Sequence, residues 1–452
     1  MGHLPEGTVT GVRGRLAEAG YRGLLGLTAL TDALPPRLRF GHWQSVLSML
    51  RPDDDLPAIP RRAASSRSAG PATSAGDRSA PTCMLVAGEL DGGGVEQVIS
   101  DLALGLPAEG LDVEVATTRS GRVGSALAEA GVRVHVCPPG DLAGLIAERR
   151  PDVIELHRPD PALVRAVAGT AAPVIPVFHA VESYLNGRAV AALGALARSA
   201  PSCIAVSGGV GRFFAGLTGA SRIAVVVNGV AEAGAERAPG RTDARRAVAE
   251  AAGAVIDDRD ILVVALQRYS DQKNAAGLVD AFLAAAAQDP RLRLVVAGSP
   301  DSWLEYRRCD LLRAASPSGH RVHLLGDCDS GTVLAAGDVY ALDSFAEGGP
   351  LSAVEAALHG LPMVLSDVGF AGDLVGCDGV VGEVVRLPAD GQGQKALARV
   401  RRRRHQPNRE LFAAALVRAS RGGRGSSGRV PAPFTIRDMV AGHAAVLEAA
   451  LA

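Results

Sequence analysis

The 452-residue chain has few aromatic side chains, and this scarcity bears on its fold class. Phenylalanine, tyrosine and tryptophan together make up 4% of the residues, while hydrophobic residues make up 47%. A core drawn mainly from alanine, valine, leucine and glycine favours layered α/β packing over an aromatic-rich β-sandwich. At this length we expect two globular domains with additional segments.

The sequence also lacks an excess of either charge and any recognisable metal or redox motif. Its 47 Lys and Arg residues nearly balance 48 Asp and Glu residues, so no overall field recruits nucleic acid. The six cysteines include no C-x-x-C pair, and no group of His, Cys and carboxylate residues has metal-ligand spacing. These absences indicate no essential metal and fit a reducing compartment.

Neither a secretory signal nor a membrane-spanning run of apolar residues is recognisable. The first residues, MGHLPEGTVTGVRGRLAEAG, lack the charged-then-apolar layout of a signal peptide. No apolar run reaches spanning length without charges. We therefore predict a soluble cytoplasmic protein, with peripheral contact at the inner face of a membrane as an alternative, and the oligomeric state stays open.

The first 82 residues predict a helical extension followed by a linker. Residues 62–82 are rich in Ser, Ala, Gly and Pro and read as flexible. Within the extension, residues 1–61, apolar side chains recur at roughly helical spacing. These are Val12, Leu16, Leu24, Leu25, Leu30, Leu34, Val46, Leu47 and Leu50. The role of the extension is unknown, and docking without chemistry is the interpretation we favour.

Two stretches in which apolar strands alternate with helices predict two parallel-sheet domains, at 83–232 and 233–430. Strands of the first are CMLVAG, VEVATT, VRVHVC, DVIEL, PVIPVF, CIAVS and IAVVV. Strands of the second are ILVVAL, RLRLVVAG, RVHLLG, DVYAL and MVLSD. Such sheets bind ligands beyond the carboxyl ends of their strands, so we expect the domains to face each other across a cleft.

The end of the chain predicts two exposed loops and a terminal helix. The loops are RVRRRRHQPNRE and RASRGGRGSSGR, and we interpret the arginine run as a solvated charged face. Residues 431–452 predict a helix that crosses back to the first domain.

The segment DSFAEGGPLSAVEAALHGLPMVLSD, residues 343–367, carries the most information about function. Pro350 suits the start of a helix over residues 351–359, which Gly360 and Pro362 then stop. Backbone amides near Gly349, Leu351 and Ser352 would form a phosphate cradle at the helix N-terminus. Glu347 precedes the helix, while Glu355 lies about one turn inside it, suited to accepting two ribose hydroxyl groups. Ordinary surface glutamates are the alternative for both.

A second cluster supports an anion site. Arg268 and Lys273 follow the strand ILVVAL and flank the turn that opens the next helix, so both are expected at the same strand end. They suit a diphosphate, although a solvated pair of surface cations is the alternative.

In the first domain, glycines and histidines follow the strands. Gly92, Gly93 and Gly94 allow a ligand to approach the backbone or only form a tight turn. His157 ends the strand DVIEL, and His179 follows PVIPVF; a structural histidine is the alternative for each. The dinucleotide motif G-x-G-x-x-G is absent, which disfavours an oxidoreductase.

In their order and spacing these motifs resemble the family 4 glycosyltransferases, retaining enzymes of the GT-B fold, over roughly residues 83–452. The fragments that carry the resemblance are GGVEQVISDLALGL, PDVIELH, PVFHA, CIAVS, VVNGV, RYSDQKNAAGLVDAF, VVAGS, HLLG and EGGPLSAVEAALHGLPMVLSDVG. The chain departs from the family where Gln267 precedes Arg268 in place of Gly, and where Phe370 and Asp373 stand in place of Gly and Glu.

The resemblance implies two Rossmann-like domains and a residue-by-residue site. Arg268 and Lys273 would bind the donor pyrophosphate and Glu355 its ribose. Glu347 and the amides that follow it would engage the transferred sugar, and His179 would line the sugar pocket. The loop of Gly93 and Gly94 would lie under the phosphates or the acceptor.

The implied reaction is a metal-independent, hexosyltransferase-like transfer, with retention, from a nucleoside-diphosphate sugar to a hydroxyl group. The acceptor would be a small molecule, a glycan or a lipid-linked glycan of the cell envelope or a natural product. No cofactor is expected beyond the nucleotide sugar as co-substrate. The alternatives are a sugar-nucleotide epimerase, a phosphorylase, and a non-catalytic subunit of the same fold.

Overall fold

Two β-sheets, each wholly parallel in its described strands, alternate with helices along the chain. The computed structural model describes residues 11–34, 48–52, 54–61, 80–182, 185–231, 238–387, 394–425 and 428–452. The seven-stranded unit comprises the described residues of Ala64–Ala231 with Glu347–Leu351 and Ala432–Ala452. The six-stranded unit comprises those of Met1–Ala63, Glu232–Ala346 and Ser352–Pro431. The expectation of two Rossmann-like parallel sheets is confirmed.

The seven-stranded sheet has the order β3-β2-β1-β4-β5-β6-β7. Its strands are β1 Thr82–Ala87, β2 Asp112–Thr117, β3 Arg133–Val136, β4 Val153–His157, β5 Val174–Phe178, β6 Cys203–Ala205 and β7 Ile223–Val225. The central strands are buried on both faces, as their continuous apolar runs predict. The edge strands differ, because Val136 on β3 is 55% exposed and Val225 on β7 is 52% exposed.

Helices cover both faces of this sheet. They are α2 Gly94–Gly105, α3 Arg122–Glu129, α4 Leu142–Arg149, α5 Pro161–Val167, α6 Gly187–Ser199, α7 Gly208–Thr218 and the terminal α16 Ile436–Leu451. The Thr435 side chain caps α16 by accepting a hydrogen bond from the Asp438 amide at 3.0 Å. Met439 and Leu447 of α16 lie in the same apolar core as α2 and the sheet. The terminal helix therefore belongs to the seven-stranded unit.

The six-stranded sheet has the order β10-β9-β8-β11-β12-β13. Its strands are β8 Ile261–Leu266, β9 Leu292–Ala297, β10 Val322–Leu325, β11 Val339–Leu342, β12 Met363–Ser366 and β13 Gly382–Val385. Its helices are α1 Val12–Ala33, α8 Arg241–Ala252, α9 Ala275–Ala286, α10 Trp303–Ala315, α11 Ser330–Ala336, α12 Leu351–Leu358, α13 Ala371–Val375, α14 Gln394–Arg401 and α15 Arg409–Arg421. The short edge strand β13 had not been predicted. Leu351, the first residue of α12, is grouped with the other unit.

The described part of the N-terminal extension contains the predicted helix, α1, and belongs to the six-stranded unit. Of the residues chosen by apolar spacing, Val12, Leu16 and Leu30 are 64%, 65% and 70% exposed. The helix α1 instead buries Gly14, Ala17, Tyr21, Thr28 and Thr31. Small and hydroxyl side chains on that face allow close approach to α10, so the apolar spacing predicts the helix but not which of its residues are buried. Val46 and Leu47, and all of the predicted linker except residues 80–82, lie outside the described residues; Thr82 belongs to β1.

The prediction that RVRRRRHQPNRE is an exposed loop is confirmed only in part, because residues 402–408 connect α14 and α15 but several residues of the segment are buried. Its first residues complete α14, and Arg401 is only 5% exposed. Arg404 donates to Glu18 of α1 at 3.0 Å and to Asp280 of α9 at 3.1 Å. The arginine run therefore joins three helices through ion pairs, which its composition alone did not indicate. The second predicted loop begins only after Arg421, where α15 ends.

Three features are absent from the parts of the chain that the structure describes. No helix there is long and apolar enough to cross a membrane. No three His, Cys, Asp or Glu side chains there form a group that could hold a metal ion. None of the six cysteines, all of which are described, forms a disulfide bond.

Candidate active site

The basic turn between β8 and α9 carries Arg268 and Lys273. Arg268 lies two residues beyond the end of β8 and is 57% exposed at its side chain. It forms an ion pair with Asp301, which follows β9. Burial raises the pKa of the Asp301 carboxyl, although Arg268 and Lys273 both attract its charged form. Both predicted cations therefore lie near one carboxylate at the carboxyl end of the sheet.

A buried network of amides and one carboxyl group supports this turn. Asn274, which has a left-handed φ of 52°, donates from Nδ2 to Asp343 at 3.0 Å and to Gln406 at 2.9 Å. Gln406 returns a hydrogen bond of 2.7 Å to Asn274, and Asn408 donates to Asp343 at 2.8 Å. Burial raises the pKa of Asp343 to about 8, and these two amide donors only partly oppose the shift. The network holds the turn against the loop that follows β11.

Further hydrogen bonds fasten that loop and α12 to the basic turn. The Phe345 amide donates to the Gln272 carbonyl at 2.9 Å, and Gln272 Nε2 donates to the Ala346 carbonyl at 2.7 Å. Ser352, in the first turn of α12, donates to the Leu266 carbonyl at 3.3 Å. Its hydroxyl also lies 2.7 Å from that of Tyr340. The end of β8, the basic turn and the start of α12 are thus held together.

Glu355 lies one turn into α12, as predicted, and its side chain is half-buried. Burial raises the pKa of its carboxyl group to about 7, and the negative charge of Asp329 adds to the shift. A carboxyl group with this pKa is close to half-ionised at neutral pH. An ordinary exposed glutamate would be fully ionised there, so the partial burial of Glu355 distinguishes it from such a residue.

The chain just ahead of α12 lies in the seven-stranded unit and contacts the segment after β5. Glu347 is 6% exposed. Gly348 lies so close to that segment that a Cβ atom on it would be 1.6 Å from the His179 carbonyl oxygen. Only glycine allows this approach. The helix starts at Leu351 and ends at Leu358, and Gly360 has a φ of 67°, so the predicted start and stop are confirmed.

The two candidate glycines after β1 are exposed at the start of α2. A Cβ atom on Gly94 would lie 3.7 Å from the Leu351 side chain, within ordinary contact distance. A Cβ atom on Gly93 would lie 2.5 Å from the end of the Glu96 side chain, which is flexible. In the seven-stranded unit, Gly94, Leu351, Gly348 and His179 therefore lie close to one another.

Two further buried ionisable side chains, Glu155 and His443, accompany the predicted histidines His157 and His179. His157 Nδ1 lies 2.9 Å from His179 Nε2, and His157 Nε2 lies 3.2 Å from Glu155. Glu155 in turn contacts Nδ1 of His443 on α16 at 2.9 Å. His157 is completely buried by this packing and cannot contact a ligand directly. His179 lies at the end of the series of contacts that runs from His443 through Glu155 and His157.

Sequence reasoning missed several residues that support the site. Asp343 follows a strand, which is a usable signal, but nothing in the spacing joins Asn274 to Gln406, 132 residues later. The contact between Glu155 and His443, which are 288 residues apart, could not be predicted from the sequence either. Contacts of this kind depend on the fold that brings the segments together.

Two family models match the chain. One described as Glycosyltransferase Family 4 matches residues 92–233, and one described as Glycosyl transferases group 1 matches residues 258–400. Together they account for more than half of the chain. The chain belongs to the family 4 glycosyltransferases. No curated protein sequence matches this glycosyltransferase.

Solved structures similar to this glycosyltransferase have the GT-B fold, which the two parallel-sheet units share. HepE from Anabaena, solved with UDP and glucose, has a TM-score of 0.59 and 21% identity over 81% of this chain and 99% of its own. A glycosyltransferase from Rickettsia africae has a TM-score of 0.62 and 15% identity over 82% and 99%. Sucrose-phosphate synthase from Thermosynechococcus elongatus has a TM-score of 0.55 and 17% identity over 80% and 96%.

The departures of this glycosyltransferase from the family pattern have different structural settings. Phe370 is completely buried, while Asp373 is exposed in the first turn of α13. Gln267 is 5% exposed, and neither polar atom of its side chain has a hydrogen-bond partner among the described residues. A buried amide without hydrogen-bond partners costs folding free energy, and Gln267 directly precedes Arg268 in the chain.

Proposed function

We propose that this glycosyltransferase moves a hexosyl unit from a nucleoside-diphosphate sugar to a hydroxyl group, with retention of configuration and without a metal ion. One observation carries the proposal: Arg268, Lys273 and the first turn of α12 are held together at the carboxyl end of β8, with half-buried Glu355 one turn further along the helix. The bound UDP and glucose in HepE from Anabaena support the choice of donor class.

In the proposed reaction, the bond between the anomeric carbon and the β-phosphate oxygen breaks, and a bond to the acceptor oxygen forms on the same face. The acceptor proton passes to the departing phosphate oxygen. Arg268 and Lys273 neutralise the leaving diphosphate, together with the amides near Gly349, Leu351 and Ser352 at the start of α12. This assigns the electrostatic role to protein cations instead of a metal ion.

The other site residues receive roles at the two ends of the donor. Glu355 accepts hydrogen bonds from the ribose hydroxyl groups, for which its ionised form is required. Glu347 and His179 contact the transferred sugar, and the loop of Gly93 and Gly94 contacts the phosphates or the acceptor. We propose that the acceptor is a small molecule, a glycan or a lipid-linked glycan, used in the cytoplasm or at the inner face of the membrane.

The test incubates the full chain with a panel of nucleoside-diphosphate sugars and hydroxyl acceptors, with and without EDTA, and identifies the products by mass spectrometry. Release of nucleoside diphosphate with formation of an EDTA-insensitive, retained glycoside supports the proposal. Free epimerised nucleotide sugar would indicate an epimerase. Sugar phosphate formed only with inorganic phosphate would indicate a phosphorylase, and no turnover of any donor would favour a non-catalytic subunit.

A further inference from the structure

A row of four buried ionisable side chains in the seven-stranded unit ends at His179. The row consists of His443 on α16, Glu155 and His157 on β4, and His179 after β5. The first three are completely buried, and His179 is 6% exposed. None of the first three can reach a ligand, so the chemistry of the row can act on a substrate only through His179.

The row is connected from end to end by short contacts. His443 Nδ1 lies 2.9 Å from Glu155 Oε1 and 3.2 Å from Oε2. On the other side, Glu155 Oε2 lies 3.2 Å from His157 Nε2, within ion-pair distance but outside regular hydrogen-bond geometry. His157 Nδ1 lies 2.9 Å from His179 Nε2. The Nδ1 atom of His179 is buried and has no hydrogen-bond partner among the described residues.

With His157 and His179 both neutral, one arrangement of the hydrogen atoms fits these contacts. A carboxylate only accepts hydrogen bonds, so the nitrogen atoms that face Glu155 on His443 and His157 both carry hydrogen. A neutral His157 with hydrogen on Nε2 has a lone pair on Nδ1, so it must accept from Nε2–H of His179. A neutral His179 then has its lone pair on Nδ1.

The environment favours these protonation states. Burial raises the pKa of Glu155, but the charge of His443 and the hydrogen bonds from His157 and His443 outweigh it and hold this pKa well below its usual range. Burial lowers the pKa of His157, and it lowers that of His179 further still. An ionised Glu155 beside neutral His157 and neutral His179 is therefore the stable state near neutral pH.

We propose that Glu155, His157 and His443 are positioning residues that hold His179 in the tautomer with hydrogen on Nε2, so that Nδ1 accepts a hydrogen bond from a hydroxyl group of the donor sugar. This inference rests on the proposed function for the identity of the hydroxyl group. The tautomer itself is a property of the free chain and does not depend on any ligand.

The test measures the tautomer directly, by long-range proton–nitrogen correlation spectra of the full chain labelled with ¹⁵N-histidine. The chain has 10 histidines, and a His179→Gln variant assigns the signals of that ring. In the wild type we expect hydrogen on Nε2 of His179 and a bare Nδ1. A wild-type spectrum with hydrogen on Nδ1 would overturn the proposal.

The variant Glu155→Gln tests whether the row controls this tautomer. In this variant the amide oxygen takes the place of Oε1, which makes the shorter contact to His443. The amide nitrogen then faces Nε2 of His157. His157 must then accept at Nε2, donate from Nδ1 and move the hydrogen of His179 to Nδ1. We expect the Nδ1–H signal of His179 to appear in this variant, and an unchanged tautomer would refute the role of Glu155.

Glu114 offers a matched control within the same sheet. It is 3% exposed on β2, and its carboxylate lies 2.8 Å from His135 Nε2. The Glu114→Gln variant also replaces a buried carboxylate that contacts a histidine, but its partners among the described residues are Arg133, His135 and Arg149, none of which belongs to the row. We expect it to leave the His179 signals unchanged. A change in those signals would show that they respond to any loss of packing in the sheet and not to the row alone.

A kinetic measurement links the tautomer to the donor, with UDP-glucose as the first probe. With Nδ1 of His179 turned from acceptor to donor, one neutral hydrogen bond to the sugar is disturbed, and we expect Glu155→Gln to lower kcat/KM about tenfold. An unchanged kcat/KM in an active enzyme would overturn the link to the sugar. If the wild type turns over no nucleotide sugar, the proposed function fails while the tautomer result stands.

Discussion

The guanidinium group of Arg401 lies 2.7 Å from the carboxylate of Asp32, which is 369 residues away in the chain. The same guanidinium group pairs with Glu305 of α10 and lies 3.2 Å from Asp271 in the basic turn. Arg308, which is also buried, contacts Glu305 at 3.0 Å and donates to the Arg401 carbonyl at 2.8 Å. One buried cation therefore joins the N-terminal helix to the turn that carries Lys273.

Replacing Arg401 should destabilise the six-stranded unit. The variant Arg401→Met keeps most of the side-chain volume but leaves Asp32 and Glu305 without their shared partner. Removing one member of a buried ion pair costs about 3–5 kcal/mol, which for a unit of this size lowers Tm by about 10 °C. Thermal unfolding of the full chain measures this.

Arg403→Met is the matched control, because Arg403 belongs to the same arginine run and is exposed. Its replacement should change the free energy of unfolding by no more than about 0.5 kcal/mol. Equal effects of the two variants would mean that the ion pairs of Arg401 contribute nothing specific.

The sequence predicts the sheets and the helix of the extension, but not which face of that helix is buried, and the difference is physical. Strands such as ILVVAL are buried on both faces, so their composition alone identifies them. Helix α1 exposes Leu16 and Leu30, while its own Tyr21 lies in the apolar core of the six-stranded unit, so apolar spacing alone does not identify the buried face. Arg404 lies over the Tyr21 ring at 5.0 Å, a contact that no periodicity predicts.

The candidate site shows the same division. Arg268, Lys273, Ser352 and Glu355 could be chosen because each follows a strand or opens a helix, where local sequence determines position. Other residues of the two units pair with partners from distant segments, such as Gln406 with Asn274 and His443 with Glu155. Pairing over such distances depends on tertiary packing, so it could not be predicted from one sequence.

Removing either cation of the basic turn should impair glycosyl transfer. In Arg268→Ala and Lys273→Ala we expect kcat to fall about 10²- to 10³-fold, since each cation stabilises charge that develops on the leaving diphosphate. Arg259→Ala is the control, because Arg259 is an exposed arginine of the same unit. Steady-state kinetics with the identified donor measure the effect, and full activity in both variants would refute the assignment of the diphosphate.

Glu355 should make donor binding depend on pH near neutrality. Its folded pKa of about 7 lies above the ordinary value of 4.5, and only the ionised form accepts two ribose hydroxyl hydrogen bonds. We expect donor affinity to weaken about tenfold per pH unit as pH falls below 7, in calorimetric titrations. Glu355→Gln should bind weakly at every pH, and a pH-independent wild type would contradict the role of the carboxylate.

The same raised pKa predicts that Glu355→Gln stabilises the free protein at alkaline pH. The folded chain holds a proton on Glu355 between pH 4.5 and about 7, so the associated stability is present below 4.5 and is lost as pH rises through 7. At pH 8 the variant should be more stable than the wild type by about 1–3 kcal/mol, and at pH 4.5 it should have no such advantage. Glu250→Gln, at an exposed position, should show no pH-dependent difference.

Asp343 should also lower the free energy of unfolding as pH rises, and its effect should continue to a higher pH than that of Glu355. Its folded pKa of about 8 lies far above the ordinary 3.8, so its contribution is complete below 3.8 and disappears as pH rises through 8. Asparagine at position 343 resembles the protonated acid, because both have a group that donates a hydrogen bond. The buried Oδ1 of Asn408 has no partner among the described residues, so the Asn408 amide can rotate and accept that hydrogen bond.

We therefore expect the Asp343→Asn variant to fold. As pH rises towards 8, the wild type should lose about 1.4 kcal/mol of unfolding free energy per pH unit through Asp343, and the variant should not. Urea denaturation of both chains between pH 5 and pH 9 measures the difference, with Asp258→Asn as the exposed control. Wild type and Asp343→Asn curves that run parallel would mean that Asp343 is ionised in the folded chain. The network beneath the basic turn would then carry a negative charge, which would oppose the binding of a diphosphate beside Lys273.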